Sequence, residues 1–223
     1  TDKDGDHLSQ TASIGTTLAF HDDGPSFGAG QAAPTLSVDE TNLAVNASAS
    51  FASVFAPNYG ADGPAAVNPI TYALGVSVSG VDSGLVDTAS GNHVFLFLEA
   101  GVVVGREGVN AGAAAAGPIV FNLSVNSATG DVTLDQVRAV VHTSADVGDS
   151  NEAATLSSAG LVTLTATITD GDGDHVSQSA NIGTSLTFHD DGPSFGTGGS
   201  VPVLSVTAPV SNSSTSLIAM ENT

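Results

Sequence analysis

Residues 1–28 (TDKDGDHLSQTASIGTTLAFHDDGPSFG) realign without a gap on residues 169–196 (TDGDGDHVSQSANIGTSLTFHDDGPSFG), 168 positions downstream, with 22 of 28 positions identical. A chain that repeats itself at a long fixed period builds one folded unit per period, so the fold has to be read in units of that length. The same offset carries Pro34 onto Pro202 and Leu36-Ser37-Val38 onto Leu204-Ser205-Val206, after which Asp39-Glu40 meets Thr207-Ala208 and similarity fades. The text therefore divides into the tail of one repeat (1–28), one complete repeat (29–196) and the start of the next repeat or a linker (197–223). It reads as a slice of a longer array. An isolated tail would expose sheet edge, so residues 1–20 are expected to pack, on this unit or on a neighbouring chain.

Between the two copies the pattern is that of strands. Ile70, Tyr72, Leu74, Val76 and Val78 alternate with small or polar residues, the period of a strand with one buried face. Phe121, Leu123 and Val125 alternate likewise and lead through 126–130 (NSATG) into Val132 and Leu134, which predicts a hairpin with glycine at its turn. The run 94–98 (VFLFL) is apolar on both faces and suits a central strand. The run 161–168 (LVTLTATI) alternates directly into an aspartate cluster, and Val176, Ala180, Ile182, Leu186 and Phe188 supply closing strands. The alanines 113–116, flanked by glycine, read as a loop, with a single helical turn as the alternative. Short strands with turn signals between them predict an all-β unit, an antiparallel β-sandwich.

What holds such a unit together is not sulfur, because the chain has no cysteine. Its 23 acidic residues face three basic ones, Lys3, Arg106 and Arg138, for a net charge of −20. That field repels phosphate backbones and anionic lipid, which argues against nucleic acid and membrane surfaces as partners. No apolar run is long enough to span a bilayer, and no signal-peptide pattern is visible. Disorder does not follow from the acidity, since charged residues make up only 12% of the chain and hydrophobic ones 41%.

The acids gather near the repeat edges: residues 1–40 hold seven and 146–191 hold eight, against seven in 41–145. Crowded carboxylates repel one another unless a cation neutralises them, and a divalent ion could do so. The first candidate is Asp170-Gly-Asp172-Gly-Asp174, matched by Asp2-Lys-Asp4-Gly-Asp6. On a flat strand such side chains stand roughly 6.6–6.8 Å apart, too far for oxygens about 2.3–2.6 Å from one calcium. The backbone has to curl there, which the intervening glycines permit. Hard carboxylate and carbonyl oxygens suit calcium, and a solvated Asp-Gly turn is the bland alternative. The second candidate is His-Asp-Asp-Gly-Pro, at 21–25 and 189–193, where Asp22, Asp23, Asp190 and Asp191 could share an interdomain calcium with Asp39 and Glu40 or with loop acids such as Asp146 and Asp149. A plain turn leaving the last strand is the competing reading.

Four of the six histidines recur at the repeat positions, His7/His175 and His21/His189, yet no His-x-His, no His-Glu-x-x-His and no third nitrogen at ligand spacing accompanies them. They read as hydrogen-bonded surface groups rather than transition-metal ligands. No Gly-x-Ser-x-Gly elbow frames a serine nucleophile. The chain has no Trp and only Tyr59 and Tyr72 to serve as a sugar platform, so a glycosidase is disfavoured and no enzyme is expected. In the loop 57–69 (PNYGADGPAAVNP), Tyr59 and Asp62 could contact a ligand, or the loop could be purely structural.

At 165–195 (TATITDGDGDHVSQSANIGTSLTFHDDGPSF) the sequence resembles the repeat modules of giant bacterial repeats-in-toxin (RTX) adhesins exported by type I secretion. LSVDET (36–41), YGADGP (59–64), SGVDSGL (79–85) and TGDVTLDQVRAVVH (129–142) carry the likeness through the middle of the chain. The resemblance implies an Ig-like or cadherin-like β-sandwich with calcium-binding loops at its ends. It further implies a secreted, bacterial cell-surface extender that projects distal binding domains for cell adhesion and biofilm formation. Its partners would be neighbouring modules of the same polypeptide and, in the alternative, a surface glycan or peptide bound through calcium. The glycine-rich nonapeptide β-roll is not implied, because no such repeat occurs.

Overall fold

A computed structural model of the chain describes residues 1–142 and 152–191; the loop acids Asp146 and Asp149 and the expected next repeat at 197–223 lie outside the described residues. The strands in order are β1 (Ser26–Gly28), β2 (Leu36–Asp39), β3 (Ala47–Ser50), β4 (Ala56–Asn58), β5 (Ile70–Val76), β6 (Val81–Val86) and β7 (His93–Glu99). They are followed by β8 (Val102–Gly108), a one-turn helix α1 (Ala111–Ala114), β9 (Ile119–Val125), β10 (Asp131–Gln136), β11 (Ala153–Thr155), β12 (Val162–Thr169), β13 (His175–Asn181) and β14 (Leu186–His189). The all-β expectation holds. No helix among the described residues is long and apolar enough to cross a membrane.

Six strands form one sheet in the order β3-β10-β9-β8-β7-β6; β13-β12-β5 and β11-β14-β2 form two three-stranded sheets, and β1 pairs with β4. Strict alternation follows from burial of one face: along β12 every second residue (Val162, Leu164, Ala166, Ile168) is buried and the others are half-exposed. Val162, Leu164 and Ala166 join Tyr72 and Leu74 of β5, Leu36 and Val38 of β2, Leu186 and Phe188 of β14 and the inner face of the six-stranded sheet in one core, in which the rings of Phe121 and Phe188 lie 5.3 Å apart.

One expectation needs correction. The sheets are antiparallel with an exception: β14 runs parallel to β2, pairing Leu186 with Leu36 and Phe188 with Val38. Both pairs are buried, as parallel pairing normally requires. The alanine run takes the helical-turn alternative over its first part, where Asn110 caps one turn by accepting the Ala113 N–H at 3.0 Å, and that turn packs on β7 and β8. The 94–98 run does lie inside its sheet, between β6 and β8, but Phe95 and Phe97 are only half-buried and Leu98 is exposed.

The first copy of the repeated segment has a different setting from the second. Residues 1–20 are exposed throughout and do not pack on the unit: Phe20 is 95% exposed where its counterpart Phe188 is fully buried, and Leu8, Ile14 and Leu18 are exposed as well. The turns nevertheless survive. Thr17 N–H donates to the Ile14 carbonyl as Ser185 N–H does to that of Ile182, so the 3₁₀ turns Gly15–Thr17 and Gly183–Ser185 match. Turns are set by local sequence, whereas β13 needs β12 as a partner and β14 needs β2 and β11.

Candidate metal centre

The β12–β13 hairpin turns on Asp170. Its Oδ1 accepts the Gly173 N–H at 3.1 Å and the Asp174 N–H at 2.8 Å, while its own N–H donates to the Asp174 carbonyl at 3.0 Å. Gly173 has φ +109°, a conformation that favours glycine. The first copy repeats the geometry: Asp2 Oδ1 accepts from Asp6 N–H at 2.9 Å, Asp2 N–H donates to the Asp6 carbonyl at 3.0 Å, and Gly5 has φ +99°. Asp2, Asp4 and Asp6 bring carboxylate oxygens within 4.8 Å of one another, as do Asp170, Asp172 and Asp174. The expected curl is thus present twice.

Only the second copy acquires a tertiary setting. The loop after β4 folds over the hairpin: Pro64 bridges to Asp170, Ala65 N–H donates to the Thr169 carbonyl at 3.0 Å, and Thr169 N–H donates to that of Pro69 at 2.9 Å. A Cβ on Gly171 would stand 2.5 Å from the Asp62 carbonyl oxygen, and one on Gly60 2.2 Å from that of Asp23. These close approaches bring Asp62 from the loop and Asp22 from the repeated tail to Asp172, with oxygens of all three within 4.8 Å of one another. Gly171→Ala is therefore expected to push the loop off the hairpin and destabilise the chain by about 1–3 kcal/mol, checked by urea denaturation.

Asp172 thus belongs to two overlapping groups comprising Asp22, Asp62, Asp170, Asp172 and Asp174. Asp170 is 1% exposed, and its Oδ2 is buried with no hydrogen-bond partner among the described residues. The crowding shows in the acidities. Asp172 is pushed above the usual carboxylate range first by the Asp170 carboxyl beside it, then by desolvation and by the charges of Asp170 and Asp22. Asp174 is raised by a proton shared with Asp22 and by that neighbour's charge. Neither arginine helps, since Arg106 is paired with Glu99 and Arg138 with Asp87.

The other expected residues gather elsewhere. Gly130 and Ser127, at the start of β10, lie against Tyr72, which follows closely on the Ile70–Ile168 pair beside Asp170. The far end of β10 is Gln136, whose amide donates to Glu40 at 2.9 Å. Glu40 therefore marks the opposite pole. There the parallel β2–β14 pair sets Asp39 beside His189, so Glu40 and Asp190 emerge together, and His142 joins them with ligand atoms within 4.8 Å. Asp39 accepts the Thr41 N–H at 2.8 Å and is held below the usual range by the Thr41 hydroxyl first, with His189 adding a smaller share. Asp191 accepts from the Thr41 hydroxyl at 3.4 Å. Asp23 contributes its carbonyl at Gly60 and joins neither carboxylate group. Asp62 and His142 were not among the expected metal ligands. The position of Asp62 beside Gly63-Pro64 was a signal for a shaped loop, while His142 stands 102 residues from Glu40 with no linear signal at all.

Residues 35–183 match the family described as Domain of unknown function (DUF5801). The chain belongs to the DUF5801 family. No curated protein and no solved structure matches it. The DUF5801 span covers β2 through β13, including the loop over Asp170 and the hairpin, and leaves Asp22, β1, β14 and Asp190 outside.

Proposed function

We propose that this chain is a calcium-stabilised structural module of a large secreted bacterial RTX adhesin, an Ig-like or cadherin-like sandwich whose neighbours are further modules of the same polypeptide. The observation that carries the reading is the buried, unpartnered Oδ2 of Asp170 among four other aspartates, with both arginines engaged elsewhere. An unsatisfied buried carboxylate oxygen is costly, and an ion that takes oxygen ligands removes the cost. Every side-chain ligand there is a carboxylate oxygen, the donor set of calcium rather than of softer metals.

Asp22 gives the site its role. It lies in the repeated tail, outside the span matched to the family, yet it meets Asp62 and Asp172 of the unit that follows. An ion held by both would fix the angle at which one repeat leaves the last. In the cytosol, where calcium is scarce, the carboxylates repel; outside the cell, millimolar calcium fills sites of roughly 10⁻⁴–10⁻³ M affinity and stiffens the array. Such a module would hold adhesive domains away from the cell surface.

Thermal melting of the full chain in about 10 mM calcium against chelator is the test. Each ion of that affinity adds roughly 1.4–2.7 kcal/mol, an upward shift of about 3–10 °C for a chain of this size. Asp172→Asn and Asp174→Asn should abolish most of the shift. In chelator, Asp172→Asn should melt no lower than the parent, because it removes a repelled charge rather than a favourable one. An equal melt with and without calcium, or a shift that both variants retain, overturns the reading.

A further inference from the structure

The two copies of the repeated segment share every residue that the unit buries. Across 7–21 and 175–189 they differ at five positions, Leu8/Val176, Thr11/Ser179, Ser13/Asn181, Thr17/Ser185 and Ala19/Thr187, and in the second copy none of the five is buried. The four buried positions there, Ile182, Gly183, Leu186 and Phe188, carry the same residues in the first copy, as Ile14, Gly15, Leu18 and Phe20. Gly183 has no room for anything larger, since a Cβ on it would stand 2.5 Å from the Ser158 carbonyl oxygen and 3.0 Å from that of Ala159. Around Gly15 nothing lies within 4 Å, so the tail's own surroundings make no demand for glycine. The tail thus holds in water the side chains that the unit packs, on a 3₁₀ turn that is already formed.

We propose that the groove formed by β2, β11 and β12 accepts residues 7–21 of a second copy of this chain in place of its own 175–189. Leu18 then takes the place of Leu186 beside Leu36, Phe20 that of Phe188 beside Val38 and against Phe121, and residues 7–13 that of β13 along β12. Exchange of near-identical segments costs little, because each contact given up is replaced by its equivalent. The chain's own segment holds the groove through its tether, which acts as a high effective concentration. A second copy therefore enters where that segment is weakened or drawn out. The tail leaves its unit at the Asp172 pole, through Asp22, whereas the groove ends with His189 beside Asp39 at the Glu40 pole. Association accordingly runs head to tail, an arrangement that stays open at both ends.

Light scattering of the full chain over a range of concentrations tests this with Leu186→Asp, which puts a charge into the chain's own closing strand and leaves the tail untouched. The expected result is a mass that rises with concentration through dimer to longer species, while the parent chain, its groove held, associates far less. Adding Gly15→Ala to that variant should weaken the association at least about tenfold, because the new Cβ meets the Ser158 carbonyl in the groove but only open space in the free tail. Alanine changes no charge and removes no apolar surface, so nonspecific clumping of a loosened chain would not fall with it. Leu186→Ala is read in the same way if Leu186→Asp fails to fold. A Leu186 variant that stays monomeric at every concentration, or association that Gly15→Ala leaves undiminished, overturns the proposal.

Discussion

Phe188→Ala is expected to cost about 3–5 kcal/mol in chemical denaturation, whereas Phe20→Ala, the same residue in the other copy of the repeat, should change stability by no more than about 0.5 kcal/mol. Phe188 is fully buried and packs on Phe121 with ring centroids 5.3 Å apart; Phe20 is 95% exposed. Truncating the first leaves a cavity against β9, while truncating the second removes surface already in water. Equal losses in the two variants would mean that the first copy packs on the unit after all.

The second large effect concerns the ion pair between the ends of β6 and β10, in which Asp87 is buried and Arg138 reaches it from the surface. Asp87 has no exposed surface and accepts from Arg138 Nε at 2.7 Å and Nη2 at 2.8 Å, as well as from the Ser90 N–H and hydroxyl. Ser90 and Asn92 continue the network to Glu107. Arg138→Ala strands the Asp87 carboxylate in the interior and should cost about 3–5 kcal/mol. The pair also sets an acid limit. The Arg138 guanidinium, opposed by burial and helped by Ser90, holds Asp87 at about 2 against 3.8 in the unfolded chain. A carboxyl depressed on folding contributes stability that is complete above the unfolded value and fades as pH falls through the native one. About 2 kcal/mol should therefore be lost between roughly pH 4 and pH 2. Denaturation across that interval should show the loss in the parent chain and a shallower one in Arg138→Ala. An identical acid limb in both would remove the pair from the account.

Elements with one face in the core were legible from sequence, because burial alone imposes a period of two: β5, β12 and the β9–β10 hairpin with Gly130 at φ +73° all fall where alternation placed them. Where a second face is covered by something distant, the pattern misleads. The outer residues of β7, Phe95 and Phe97, are apolar yet only half-buried, and the α1 turn that packs on β7 owes itself to a cap from Asn110 within a run that alanine alone leaves ambiguous. The repeat makes the same point more sharply. Ile14 and Ile182 share their sequence surroundings and not their burial, since alternation reports what a strand can bury and not whether a partner is present.

The candidate sites divide along the same line. The curl at Asp170 was readable, being local and encoded by Asp-Gly alternation. The arrival of Asp62 and Asp22 depends on a loop seated against Gly171 and a tail seated against Gly60, contacts with no signature in either segment alone. His142 reaches Glu40 only because β10 crosses the unit from one pole to the other, and nothing in its neighbourhood announces that journey.

The parallel alignment of β2 with β14 has a mechanical consequence. Tension carried in ahead of β2 and out beyond His189 draws the two strands in opposite senses along their shared axis, so their paired positions, from Leu36–Leu186 to Asp39–His189, are loaded together. Hydrogen bonds stressed side by side must fail as a set; those of an antiparallel hairpin pulled at its open end break in succession, like a zip. A pull along the chain therefore loads the β2–β14 pairing in shear.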